Sequence, residues 1–460
     1  MPWTVTASTP RSRMSRSAAS TIRARVRWRR RSLRVPVAVS PVSRLISSIM
    51  TEISLDASHK QTRVCLSIPG GSMQLEDVVP AARALLPATC ERAEKTEAAR
   101  QLLPEAVTDL RAAGLFGLLQ PKRWGGLELE PAALVRASTE LARGCGSTAW
   151  CLGVLAVHNW MLGLYEERAQ QDVWSEDPET LLAASFAPTG KAERVADGIR
   201  VSGRWSFASG CDASRWMMVG AVVPSEGEIP DLRLFLVPQS EYRIDDNWHV
   251  SGLAGTGSKD IVIDGAVVPE HRSLSVVQAM QGRSPGRELY ANSPLYRVPF
   301  GTMLLFALVG PALGLARGTY TAFIERARNR QITYSVEKQS EQTPVHVMLG
   351  DVSYELDAVD LLWERDLAEI ARMTREQQDF SVAQRARYKR DVGLGLRRCQ
   401  EVVTRLSGAS GAHGIFLSSS IQRAFRDTHA MTTHAALDPI QAARTLGRVE
   451  LDLEPATVIL

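Results

Sequence analysis

The sequence predicts an α+β fold in three blocks: helices, then strands, then a bundle of long helices. Three observations predict it. From about Leu75 to Glu176 apolar residues recur at helical spacing, as in the stripe Leu103, Val107, Leu110 and Leu115. From about Leu181 to Arg272 the texture changes to short alternating runs broken by turns. From about Phe300 onward helical spacing returns over long stretches.

The blocks divide the chain into an N-terminal helical domain at 73–180, a middle β-barrel or sandwich domain at 181–290 and a C-terminal four-helix bundle at 291–460. Residues 1–72 read as a disordered or mis-assigned extension. In the first block Ala132 to Arg143 repeats the helical stripe. In the second, the turn Asp197-Gly198 precedes the alternating run Ile199 to Ser202. Trp216–Val223, Leu232–Val237 and Asp260–Val268 are further strand candidates. In the third, helices are predicted over roughly 302–328, 345–373, 381–407 and 419–433, and Gly408 to Gly411 separates the last two.

Composition excludes several function classes. The 460 residues are 45% hydrophobic and 23% charged, as in soluble globular chains. The net charge is +4, yet residues 1–50 hold eleven Arg and no Lys, Asp or Glu, so the remainder carries −7. A mildly acidic body argues against nucleic-acid binding. The Arg- and Ser-rich start has the composition of a transit peptide. The alternation Arg23-x-Arg25-x-Arg27-x-Arg29 is not helical and favours an upstream stretch before a true start at Met50 or Met73. No apolar stretch of secretory length follows these arginines. The run Met303 to Leu315 is too short to cross a membrane and contains Pro311, so it reads as a buried helix. Six cysteines without a CxxC pair indicate neither a metal site nor a disulfide framework, and Cys145 and Cys151 read as small core residues. The cytoplasm is the expected compartment. No strand–GxGxxG–helix unit is present, which excludes a nicotinamide-binding domain of that type.

Local motifs then narrow the reading. Leu110 to Gly117 followed by Pro121 to Gly126, Leu141-Ala142-Arg143, Ser147-Thr148-Ala149, Gly203 to Gly210, Gly252 to Ser258 with Val267-Val268-Pro269, and Arg426-Asp427 occur in that order. Together they resemble the acyl-CoA dehydrogenases from residue 80 onward. Two departures stand out. The dehydrogenases' glutamate nine residues after the arginine corresponds to Ala435, which cannot accept a proton. The family's Arg-x-x-Phe-Gly has become Arg330-Gln331-Ile332-Thr333. Cys145 to Trp150, Val157 to Trp160 and Ser206 to Gly210 are similar instead to the hydroxylase branch of the superfamily. That branch includes oxygenase components of 4-hydroxyphenylacetate 3-hydroxylase, secosteroid phenol hydroxylase and polyketide-quinone hydroxylases.

The resemblance implies an oxygenase component of a two-component flavin-dependent monooxygenase, an oxidoreductase. It would receive reduced FMN or reduced FAD by diffusion from a separate NAD(P)H-dependent flavin reductase. With molecular oxygen it would hydroxylate a small aromatic substrate, phenolic or polyketide-type, through a flavin hydroperoxide. A homotetramer is implied. The alternative is an FAD-dependent acyl-CoA dehydrogenase with a relocated base, and a catalytically silent scaffold is a third reading.

The same resemblance implies roles for individual residues. Ser209 would accept a hydrogen bond from flavin nitrogen 5, with Phe207 stacking on the ring from the same strand face; a strand-end serine satisfying its own backbone is the bland alternative. His434, beside the lost base, would face the flavin edge, and His429 cannot share its helical face. His158 would bind the substrate's hydroxyl, with Ser185 and Trp160 as further substrate contacts, although buried histidines and tryptophans are more often plain core. Arg330, His413 and Gly414 would hold the flavin's phosphate or adenosine, against the readings of a surface arginine and an ordinary glycine turn. No metal is expected.

Overall fold

The computed structural model describes residues 73–224, 231–332, 335–457 and 460. The chain divides into two units, Met1–Ser67 and Ile68–Leu460, and the following concerns the second. The expectations for the N-terminal extension lie outside the described residues.

Among the described residues six α-helices come first: α1 (Leu75–Ala84), α2 (Leu86–Ala99), α3 (Pro104–Ala112), α4 (Pro131–Ala142), α5 (Gly146–Leu162) and α6 (Glu167–Trp174). Seven strands follow: β1 (Leu182–Val195), β2 (Gly198–Ala208), β3 (Trp216–Val223), β4 (Asp231–Pro238), β5 (Arg243–Asp245), β6 (Lys259–Val268) and β7 (Ser273–Ser275). Helices then return: α7 (Val276–Met280), α8 (Pro285–Leu289), α9 (Phe300–Phe306), α10 (Gly310–Asn329), α11 (Thr343–Arg375), α12 (Val382–Ala409), α13 (Ser420–Met431) and α14 (Pro439–Glu450).

The strands form one mixed sheet in the order β5-β6-β2-β1-β3-β4-β7. Among the described residues only β1 and β3 run parallel, and every other strand pairing is antiparallel. β1 carries an irregularity between Ser185 and Gly190. At its end a side chain at Gly190 would fall 1.9 Å from the Trp205 ring, whose Nε1 donates to the Gly220 carbonyl at 2.7 Å. The indole thus lies against the strand at Gly190, and residues 186–189 before it are exposed.

The central helix is α5. All its residues but Val154 are buried, which marks a helix apolar around its whole circumference and enclosed by other elements. It packs against α4, α10 and β1, so both helical blocks and the sheet meet on it. The helix predicted at 302–328 is in fact two, because Pro311 has no N–H and occupies the first turn of a new helix, α10. Phe300–Asn329 is, among the described residues, the one helical stretch long and apolar enough to cross a membrane, but 89% of its most apolar window is buried inside the protein, as in a core helix.

Candidate active site

Regular alternation predicts that Phe207 and Ser209 share a strand face. The structure corrects this. Phe207 has φ +66°, and the register between β2 and β6 shifts between Trp205 and Ala208, so the pleat is lost there. Phe207 turns outward, 71% exposed, its ring edge-on to Trp248 at 5.9 Å. A left-handed φ costs a non-glycine residue about 1 kcal/mol or more, and an exposed ring gains no burial in return.

Ser209 turns toward α5. Trp150 Nε1 donates to its Oγ at 3.3 Å. Ser209 Oγ lies 2.7 Å from Ser258 Oγ, which lies 2.6 Å from Thr256 Oγ1. Thr256 Oγ1 donates to the Leu253 carbonyl at 2.8 Å. The Leu253 N–H in turn donates to Asp427 Oδ1 at 2.6 Å. Asp427 is buried in α13, and burial raises its carboxyl to about 6. Its neighbour Arg426 donates to the Ser251 carbonyl at 2.7 Å and pairs with Glu97. The Arg426-Asp427 pair therefore clamps the loop carrying Thr256 and Ser258 from the helical bundle.

His434 follows α13. Its Nδ1 accepts from the Ala436 N–H at 3.3 Å, so in the neutral ring the proton sits on Nε2. The ring meets Trp150 edge-on at 5.7 Å. It is open to solvent, yet burial by the surrounding protein lowers its pKa, a combination that fits the wall of a cleft. His429 stays on its own helix: its Nδ1 donates to the Phe425 carbonyl at 2.6 Å and its ring lies on Phe425. Of the two histidines, His434 is the one that reaches Trp150.

His158 has the opposite tautomer. Its Nδ1 lies 3.0 Å from the Leu182 carbonyl, which can only accept, so Nδ1 carries the proton and Nε2 is an acceptor. Burial pushes its pKa down to about 4, and the bond to Leu182 opposes this in part. Phe186, on the irregular part of β1, stands edge-on to the imidazole at 6.0 Å. The adjacent Ser185 donates to the Ser206 carbonyl at 2.7 Å, which leaves its oxygen as an acceptor.

Trp160 does not join this group. Two residues along a helix are about 200° apart, so it leaves α5 on another face from His158. It is 1% exposed and packs against Tyr296 and Phe300 at 6.2 and 6.0 Å. The expected substrate contact is thus a core tryptophan.

A second cluster lies at the C-terminal end of α12. Arg330 Nη1 donates to the Ala409 carbonyl and to Gln339 Oε1, each at 3.2 Å. Its guanidinium packs under Gly411, where φ is +66° and a side chain would fall 2.2 Å from Nη2. His413 is exposed against Phe416, and Gly414 is buried. Of the five residues expected to bind the cofactor, Arg330 packs under the turn that leads to His413 and Gly414, whereas Phe207 and Ser209 lie at the end of β2. Arg330 caps a helix whose last carbonyls carry partial negative charge, a structural task it performs without any ligand.

Profiles described as acyl-CoA dehydrogenase N-terminal domain and C-terminal domain match residues 73–176 and 306–439. The flavin-dependent monooxygenase oxygenase subunit HsaA of Mycobacterium tuberculosis (strain ATCC 25618 / H37Rv) is 37% identical over 389 residues, covering 84% of this chain and 98% of the relative. The chain belongs to the oxygenase subunits of the flavin-dependent monooxygenases. The oxygenase component of FADH(2)-dependent resorcinol hydroxylase from Rhizobium sp. (strain MTP-10005) is 34% identical, covering 79% of this chain and 91% of that one. The crystal structure of the M. tuberculosis HsaA monooxygenase superposes with a TM-score of 0.80 at 36% identity, covering 84% of this chain and all of that chain.

For an oxygenase subunit of this family the residues fit a flavin. Ser209 retains an acceptor position, and the exposed Phe207 offers a ring face held at a strained φ. The dehydrogenase alternative is set aside by these relatives, which at 34–37% identity are named as oxygenase subunits or components. No cluster of three or more His, Cys, Asp or Glu able to hold a metal occurs among the described residues. A concavity of about 490 Å³ on β1 and β2, lined by Lys191, Arg200 and Ser202 among others, contains none of the site residues; the chemistry of the side chains, not the size of that hollow, locates the site. Sequence reasoning missed Trp248, Thr256, Ser258 and Phe186. The first three lie in or beside the motif Gly252 to Ser258, whose fold resemblance was legible while its contact with Ser209 was not.

Proposed function

We propose that this oxygenase takes reduced flavin, FMN or FAD, from a separate NAD(P)H-dependent reductase and uses it with molecular oxygen to hydroxylate a phenolic ring held at His158. The observation that carries the reading is the pair of histidines in opposite tautomers, His158 an acceptor at Nε2 and His434 a donor at Nε2. Hydroxylation of a phenol needs both functions at separate places. Relatives named for resorcinol and for p-hydroxyphenylacetate support a phenolic substrate.

When bound, the reduced flavin supplies oxygen activation at its carbon 4a. Ser209 would accept from the nitrogen 5 proton, and Phe207 would offer its exposed ring to the flavin. His434, with its proton on Nε2, would donate at the flavin's reactive edge. His158 accepts the substrate's O–H at Nε2, with the Ser185 oxygen as a second acceptor, and this raises electron density at the ring carbon ortho to the hydroxyl. A phenol titrates near 10 and His158 at about 4, so the histidine polarises the O–H and does not remove its proton outright in the ground state.

The same reading includes a homotetramer. Ile415, Phe416 and Leu417 are exposed beside His413, and Val347, Tyr354 and Leu361 are exposed at seven-residue intervals along α11. A second copy covering these residues would bring the Arg330–His413–Gly414 turn to the phosphate of its neighbour's flavin. The cytoplasm fits the free thiols of Cys145, Cys151, Cys211 and Cys399.

The test is incubation of the purified chain with a flavin reductase, NADH, a simple phenol and labelled oxygen. One labelled oxygen atom per product is expected only when the reductase is present. Hydroxylation driven by NADH with the isolated chain overturns the proposal, as does oxidation of an acyl-CoA without any phenol hydroxylation.

A further inference from the structure

Two hydroxyls and a carbonyl, those of Ser258, Thr256 and Leu253, continue inward from Ser209, and the polarity of that chain has a chemical consequence. Both of its ends are one-directional. The Trp150 indole nitrogen can only donate, and the Leu253 carbonyl can only accept. Working back from the carbonyl, Thr256 donates its single hydroxyl proton to Leu253, so it accepts from Ser258. Ser258 has then no second proton, so it accepts from Ser209. Ser209 accepts from Trp150 and donates to Ser258, which leaves one lone pair and no proton.

This polarity matters because the flavin changes character at nitrogen 5. In the reduced ring that nitrogen carries a hydrogen and donates. In the oxidised ring it carries a lone pair and accepts. A serine with only a lone pair to offer pairs with the first and repels the second. An oxygenase served by a diffusing flavin faces both forms in solution and needs the reduced one.

We propose that Ser258, oriented by Thr256, is a positioning residue that holds Ser209 as an obligate acceptor and so makes the site select reduced over oxidised flavin. The inference rests on the reading of Ser209 as the hydroxyl that faces nitrogen 5. Thr256 is 1% and Ser258 4% exposed, so water does not compete for these bonds in the folded chain. The loop that carries both residues is held by Asp427 at Leu253 and by the buried Lys259, which donates to Asp212 at 2.8 Å.

The test is the ratio of dissociation constants for oxidised and reduced FMN and FAD, measured anaerobically by titration of flavin absorbance and fluorescence. Ser258→Ala removes the inward acceptor, so the Ser209 hydroxyl can rotate and donate outward. Oxidised flavin should then bind about tenfold more tightly, the size of one hydrogen bond regained, while reduced flavin changes little. Thr256→Val should act in the same direction, because Ser258 can then turn its own proton toward Ser209. Ser258→Thr keeps a hydroxyl and should restore the original ratio. A variant that merely folded badly would lose affinity for both forms, so a gain for the oxidised form is a signature that damage does not produce. If Ser209→Ala weakens reduced-flavin binding but Ser258→Ala leaves the ratio unchanged, the relay is overturned and Ser209 keeps its role. If Ser209→Ala changes neither constant, Ser209 does not face the flavin and both readings fall.

Discussion

The indole N–H of Trp150 ends 3.3 Å from Ser209 Oγ, joining the central helix to the end of β2. The same indole presents its ring to His434 at 5.7 Å. One side chain thus sets the spacing between the two groups assigned to the flavin. Trp150→Phe keeps the ring and removes the donor. It should cost about 1 kcal/mol in chemical denaturation, the typical worth of one hydrogen bond, and should raise the hydrogen peroxide released per product formed.

Ser209 and His158 serve different partners, and their variants should separate accordingly. Ser209→Ala should speed hydrogen peroxide release in the absence of substrate, by roughly one to two powers of ten for the loss of about 1–3 kcal/mol. His158→Ala should leave that background rate nearly intact and depress oxygen transfer to a phenol. Stopped-flow absorbance with and without substrate, paired with product analysis, distinguishes them. The reverse pattern would exchange the two assignments.

His158 also makes a pH prediction. Burial lowers its pKa from the ordinary 6.5 to about 4, so the folded chain binds fewer protons than the unfolded chain between those values. Its contribution is complete above about pH 6.5 and is lost as pH falls toward 4. His158→Asn should therefore show a shallower loss of stability across that window in denaturant titrations at several pH values. Between pH 7 and 8 the substrate-dependent step should show no ionisation attributable to this residue.

Assembly is tested at the exposed apolar triplet. Phe416→Asp combined with Leu417→Asp should shift the chain to a smaller species in light scattering. Flavin affinity should fall with it, because the Arg330–His413–Gly414 turn would no longer reach a neighbouring copy. A double variant that stays fully assembled and binds flavin normally would remove this face from the interface.

The sequence by itself determined the order of helices, strands and helices, and the strand Trp216–Val223 was legible to the residue. Periodicity is a local property, and each long element carries its own. Motif order was sufficient for the superfamily, and Ala435 marked the departure from the dehydrogenases' glutamate. Tertiary structure alone decided how the site is wired. Phe207 and Ser209 part company because a register shift cancels the alternation that would have aligned them. Trp160 packs in the core because helical rotation carries it away from His158. The two histidine tautomers follow from which atom stands opposite each Nδ1, a carbonyl for one and an N–H for the other. Ser258 meets Ser209 across 49 residues of chain, and Trp150 meets it across 59. Hydrogen-bond direction at such separations depends on which donors and acceptors packing brings within 3 Å or so, and no local pattern of residues encodes that.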